Sequence, residues 1–174
     1  MGKTISFANQ KGGVGKTTSA VNIAASLGVL GYKILLVDLD PQGNATSGVG
    51  ISKKALKATI NDVMLGEISA EDATRVTEYT NLSIIPANIA LAGAEYNLYQ
   101  DGGSERIMKE ALAPIKDKYD YIIIDCPPSL SMLTVNSMVA SDGIVIPMQC
   151  EFYALEGLSQ LTVTINKIKS NFNN

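Results

Sequence analysis

The chain has 174 residues, enough for one domain with a sizeable core, and its 46% apolar and 18% charged residues are ordinary for a globular α/β protein. It contains no histidine, which excludes Ser-His-Asp and Cys-His catalysis, His-based acid–base schemes and a conventional zinc site. Its 14 basic against 17 acidic residues give a formal charge of −3, arguing mildly against a large nucleic-acid surface on this segment alone.

Five short apolar runs, 4–8, 33–37, 82–86, 121–124 and 143–147, are rich in Ile, Val and Leu without alternation, as parallel strands covered on both faces should be. Residues 17–30 carry Ala20, Ile23, Ala24, Leu27 and Leu30 as one helical stripe, with Gly31 placed to end the helix. Segment 48–80 is polar and weakly patterned, with a short helix expected over 59–64. Further helices are expected over 90–98, 104–118, 130–140 and 154–170. Strands alternating with helices imply right-handed crossovers and a doubly wound, mainly parallel sheet with helices on both faces, here spanning 1–174 as a single domain. The last helical pattern has no following strand to lie across, so the expected chain lacks its C-terminal portion. Cys126 and Cys150 form no CxxC pair and read as two reduced core thiols. No apolar run is long enough to span a bilayer and no leader precedes the first strand, so the expectation is a cytoplasmic protein without membrane contact.

Chemistry concentrates where strands end. The run 4–8 leads through Asn9 and Gln10 into Lys11-Gly12-Gly13-Val14-Gly15-Lys16-Thr17-Thr18, and a helix follows. Glycines let the backbone turn its amides around phosphate oxygens, and the helix amino terminus adds free N–H groups and a favourable dipole. Lys16 can reach the β- and γ-phosphates of ATP, and the Thr17 hydroxyl is placed to ligate magnesium. The run 33–37 ends in Asp38-Leu39-Asp40-Pro41-Gln42-Gly43-Asn44, a polar turn, and the run 121–124 ends in Asp125-Cys126-Pro127-Pro128-Ser129. Ligands of open parallel sheets sit beyond the carboxyl ends of the strands, so both acidic clusters should converge on the phosphate loop. Asp125 reads as the Walker B acid, holding magnesium through a water. Asp40 is the candidate for orienting the attacking water, and Asp38 an outer magnesium-shell or structural acid. Only Arg75 and Arg106 are present, both outside these loops, so an in-chain arginine finger is not expected.

The usual phosphate-loop pattern has glycine at position 10, where this chain has Gln10, and Lys11 instead precedes the Gly-Gly pair. This is the deviant Walker A form, and it resembles the ParA/MinD group of ATPases. Together with Asp38-Leu39-Asp40-Pro41-Gln42-Gly43-Asn44, Asp125-Cys126-Pro127-Pro128-Ser129-Leu130, Pro147-Met148-Gln149-Cys150-Glu151 and Ala154-Leu155-Glu156-Gly157-Leu158, it looks like the chromosomal, Soj-like branch of ParA. The resemblance implies an ATP-dependent homodimer in which Lys11 reaches the partner's nucleotide. It also implies slow hydrolysis stimulated by a ParB-type partner, and non-specific DNA binding with nucleoid association by the full-length protein. Relatives of this kind continue beyond such an end with segments bearing much of the adenine pocket and the basic DNA surface, and no amino-terminal DNA-binding domain fits before residue 4. A MinD-like ATPase positioning cell division is the sibling reading, which Gln10 and the Asp-Pro-Gln-Gly-Asn block disfavour. A metal-cluster carrier would need cysteines at a dimer axis or as a CxxC pair.

Overall fold

The computed structural model describes residues 2–100 and 104–173. In chain order the elements are β1 (Lys3–Phe7), α1 (Lys16–Val29), β2 (Ile34–Asp38), α2 (Asn44–Gly48), α3 (Ile60–Met64), α4 (Ala70–Ala73), β3 (Arg75–Val76) and β4 (Leu82–Ile85). They continue with α5 (Leu91–Gln100), α6 (Ile107–Leu112), β5 (Tyr121–Asp125), α7 (Met132–Ala140), β6 (Gly143–Val145) and α8 (Phe152–Phe172). The strands form a six-stranded sheet in the order β3-β4-β2-β5-β1-β6, parallel except for the β3–β4 pair, as expected of a P-loop fold.

Neighbouring residues of a strand point to opposite faces, and here both faces are covered. Leu35 and Val37 of β2, with Ile122 and Ile124 of β5, pack into one cluster with Leu91, Met108 and Leu133. Ile34 and Leu36, with Ile123, pack into the other against Ala20 and Ala24 of α1. Each such side chain contributes about 1.5–3 kcal/mol on leaving water. This double coverage is why the strands read as continuous apolar runs.

Several expectations shift. The strip of α1 that meets the sheet is Lys16, Ala20, Ala24 and Gly28, whereas Ile23 and Leu30 are exposed. Small residues win because the helix lies close: a Cβ at Gly28 would sit 2.2 Å from the carbonyl oxygen of Thr80. Gly31 does end the helix, its N–H bonding Gly28 O while Tyr32 N–H bonds Leu27 O, a Schellman closure. The helix expected over 104–118 is broken into α6 flanked by 3₁₀ turns; after Leu112 the break is due to Pro114, which has no N–H to give and clashes with the preceding turn. Segment 48–80 adds α4 and β3, unmarked in the sequence, while α3 starts as expected, with a capping box between Thr59 and Asp62. The run 143–147 is not covered on both faces: β6 stops at Val145, at an edge of the sheet, with Gly143 and Val145 exposed.

Candidate nucleotide and magnesium site

Strand register brings the site together. Phe7 pairs with Asp125 across β1 and β5, and Asp38 pairs with the same Asp125 across β2 and β5. The loops that follow these three residues therefore leave the sheet side by side, at its carboxyl edge. Backbone bonds tie them there, from Cys126 N to Phe7 O at 3.2 Å and from Leu39 N to Asp125 O at 2.9 Å.

The phosphate loop, 8–15, follows β1, beside the loop that leaves Asp125. Gly13 and Gly15 have φ of 73° and 86°, which only glycine adopts without strain, and α1 starts immediately after Gly15 with no side-chain cap on its amides. A Cβ at Gly13 would meet nothing within 4 Å, so backbone conformation rather than crowding is what calls for glycine there. Lys16 is buried and folds back, its Nζ donating to the carbonyl oxygen of Lys11 at 2.9 Å. Burial lowers its pKa, against the raising pull of Asp125 and Asp40. Thr17 and Thr18 follow on the first turn of α1.

Asp125 is fully buried, and neither of its carboxylate oxygens completes a hydrogen bond. Burial pushes its pKa up to about 7. The Thr17 hydroxyl pulls the other way, Asp38 and Asp40 add to the rise, and Lys16 opposes it. Thr17 thus faces the carboxylate closely enough to act on it without a bond of full geometry. A buried, unpaired carboxylate beside a hydroxyl costs the fold stability unless something supplies the missing partner. That donor set fits a hydrated magnesium ion, which takes one or two protein oxygens and keeps its waters. No group of three or more acidic or Cys side chains forms an all-protein cage among the described residues.

Asp38 is equally buried but fully bonded. Its Oδ2 accepts from Thr46 N and Thr46 Oγ1, both at 2.7 Å, and its Oδ1 accepts from Asp40 N at 3.2 Å. Burial still pushes it up to about 6, since these bonds only partly offset the loss of solvent. Both oxygens of Asp38 are thus engaged by the chain itself. Asp40 is 7% exposed and forms an Asx turn, its Oδ1 accepting from Gln42 N at 2.9 Å.

Lys11 is exposed and ion-paired with Glu151, also exposed. Asn9 buttresses it, accepting from Lys11 N at 3.0 Å and donating from Nδ2 to Pro147 O at 2.8 Å. Arg75 lies on the far edge strand β3, and Arg106 sits 5.7 Å over the ring of Phe172, so neither belongs to the site. Cys126 is a core thiol, as expected, pushed up to about 12 by burial and in contact with Ser137 Oγ at 3.0 Å. Cys150 is not: β6 ends at Val145, and Cys150 falls exposed in the loop before α8. The side chains of residues 152–156, which carry part of the Ala154-to-Leu158 resemblance, lie outside the described ones.

Sequence reasoning missed Thr46, Asn9 and Lys53, the last donating to Gln42 O at 2.7 Å. The only signal for Thr46 was its closeness to the Asp-Pro-Gln-Gly-Asn block, because a five-residue helix such as α2 leaves no periodicity.

A family model described as an AAA domain matches residues 2–174. The sporulation initiation inhibitor protein Soj of Bacillus subtilis is 52% identical over 173 residues, covering 99% of this chain and 68% of that protein. The chromosome partitioning protein ParA of Myxococcus xanthus is 49% identical, over 99% of this chain and 61% of its own length. Among solved structures, cobyrinic acid a,c-diamide synthase from Mycobacterium smegmatis with a bound ATP analog and magnesium superposes with a TM-score of 0.94. It is 40% identical over 99% of this chain and 70% of that one. A putative plasmid partition protein from Borrelia burgdorferi bound to AMPPNP gives 0.83 at 31% identity, over 97% of this chain and 70% of that one. The chain thus spans 61–68% of the length of these two curated relatives. No helix among the described residues is long and apolar enough to cross a membrane. Identity of 52% sustained over 99% of the chain is kinship rather than mere likeness of fold, and this chain belongs to the ParA/MinD family of deviant Walker A ATPases, in its Soj-like chromosome-partitioning branch.

Proposed function

We propose that the protein is an ATP-binding and ATP-hydrolysing switch for chromosome or plasmid partitioning. One observation carries this most directly: a buried carboxylate with unpaired oxygens, Asp125, stands beside an uncapped phosphate loop whose lysine is folded inward. The amides of 12–18 and the Lys16 ammonium receive the β- and γ-phosphates, Lys16 exchanging its bond to Lys11 O for phosphate oxygens. Thr17, and Asp125 through a water, would hold magnesium, which when bound neutralises phosphate charge. Asp40, fixed by its turn to Gln42, orients the attacking water for in-line displacement. Loops 39–43 and 126–131, leaving the sheet beside the phosphate loop, are suited to sense the γ-phosphate.

In the full-length protein, Lys11 would leave Glu151 and cross to the nucleotide of a second copy, supplying the charge that no arginine of this chain provides. ATP-dependent dimerisation, non-specific DNA binding and stimulation by a ParB-type partner complete the cycle. The names of the Soj and ParA relatives support this reading. Asp40→Ala should keep ATP binding and lose turnover. Phosphate release at the parental rate, with DNA and a ParB-type peptide present, would remove Asp40 from the mechanism. Pelleting with anionic vesicles and ATP separates partitioning from the MinD-like, cell-division alternative.

A further inference from the structure

Loop 39–43 carries Asp40, whose backbone N–H is held by Asp38 Oδ1 at 3.2 Å. That carboxylate is in turn held by Thr46, fully buried on α2. The hydroxyl uses its single proton to donate to Asp38 Oδ2 at 2.7 Å and accepts from the backbone N–H of Ala87 at 2.9 Å. The backbone N–H of Thr46 reaches the same Asp38 oxygen at 2.7 Å. The other oxygen of Asp38 receives the N–H of Asp40. A continuous chain of bonds therefore runs from the loop after β4, through Thr46 and Asp38, to the backbone of Asp40.

We propose that Thr46 is a positioning residue for hydrolysis, setting Asp40 through Asp38 and coupling loop 39–43 to the loop that follows β4. The proposal rests on the reading of Asp40 given above. Three features argue for more than stability. The network ends on the backbone of Asp40, the residue proposed to orient the water, rather than in the core. The helix bearing Thr46 has only five residues, so its own hydrogen bonds hold it weakly. The two loops are also in close contact elsewhere, since a Cβ at Gly43 would lie 2.8 Å from Ala87 O. No apolar side chain of the same size can replace the hydroxyl, because both Ala87 N–H and Asp38 would then lose a partner in a buried setting. A displaced loop would still admit ATP, which binds chiefly through 12–18, but would misplace Asp40.

The test compares Thr46→Val and Thr46→Ser in the full-length protein, measuring turnover at saturating ATP, KM, ATP affinity by calorimetry and thermal midpoint. Thr46→Val should lower turnover by about a hundredfold, the cost of misplacing a reacting group by about 1 Å, while ATP affinity and KM stay at parental values. Thr46→Ser, keeping the hydroxyl, should restore turnover. In an Asp40→Ala background Thr46→Val should add no further loss. Parental turnover in Thr46→Val, a change in KM alone, or no rescue by serine would overturn the proposal. If Thr46→Val fails to fold, Thr46→Cys, of similar size and with a much weaker donor, carries the same comparison. Asp40→Ala hydrolysing at the parental rate sinks the assignment of Asp40, whereas an inactive Asp40→Ala beside an unaffected Thr46→Val sinks this one alone.

Discussion

Replacing Asp125 by Asn should stabilise the nucleotide-free protein above neutral pH and barely change it in acid. In the unfolded chain this carboxyl titrates at its ordinary 3.8, whereas burial in the fold pushes it up to about 7. Between those values the native state keeps a proton that the unfolded chain has released. Stability therefore falls as pH rises through this window, by about 1.4 kcal/mol per pH unit, and levels off above it. The whole drop comes to about 4 kcal/mol, an upper bound because water entering the site would screen the charge. Asp38, pushed up to about 6, adds a smaller fall of the same sign that Asn at 125 leaves in place. Urea unfolding of parent and variant should give nearly equal free energies at about pH 4 and a gap of several kcal/mol in the variant's favour at about pH 8. Saturating Mg-ATP should narrow that gap, since only the parent's carboxylate gains a partner on binding. A gap of the same size at both pH values would refute the reasoning, because Asp125 would then titrate alike in both states.

Lys16→Ala removes the ammonium meant for the β- and γ-phosphates and should weaken ATP binding about tenfold to a hundredfold, as a lost charge-assisted bond does; unchanged affinity by calorimetry would exclude the phosphate role. Lys11→Ala should leave ATP affinity of the single copy intact and lower ATP-induced dimerisation of the full-length protein, so light scattering that shows the same dimer counts against it. Gly28→Ala drives a methyl into the Thr80 carbonyl, 2.2 Å away, and should cost about 1–3 kcal/mol in urea unfolding. A parental midpoint would mean that α1 can lift from the sheet freely.

Much of the site was legible because its chemistry is local. The phosphate loop needs consecutive glycines, a lysine and a hydroxyl between a strand and a helix, and all lie within 9–18. Asp38 and Asp125 were marked by apolar runs that each ended in an acid. Illegible parts lack periodicity or depend on distance. Two-residue β3 and the short helices α2 and α4 are too brief to show a pattern. The α1 strip was misread because an apolar count favours Ile23 and Leu30, while the close approach of strand and turn selects Ala20, Ala24 and Gly28.

By itself, then, the order of amino acids determined a wound parallel sheet and a phosphate-binding turn, since strand burial, helix stripes and backbone freedom are properties of neighbouring residues. Tertiary structure alone decided how the two strand-end aspartates differ. Asp38 and Asp125 occupy equivalent strand ends and pair in register, yet one carboxylate meets Thr46 and Asp40 while the other meets no completed bond. Which buried charge is neutralised by the chain, and which is left for a ligand, depends on side chains that only folding brings within reach.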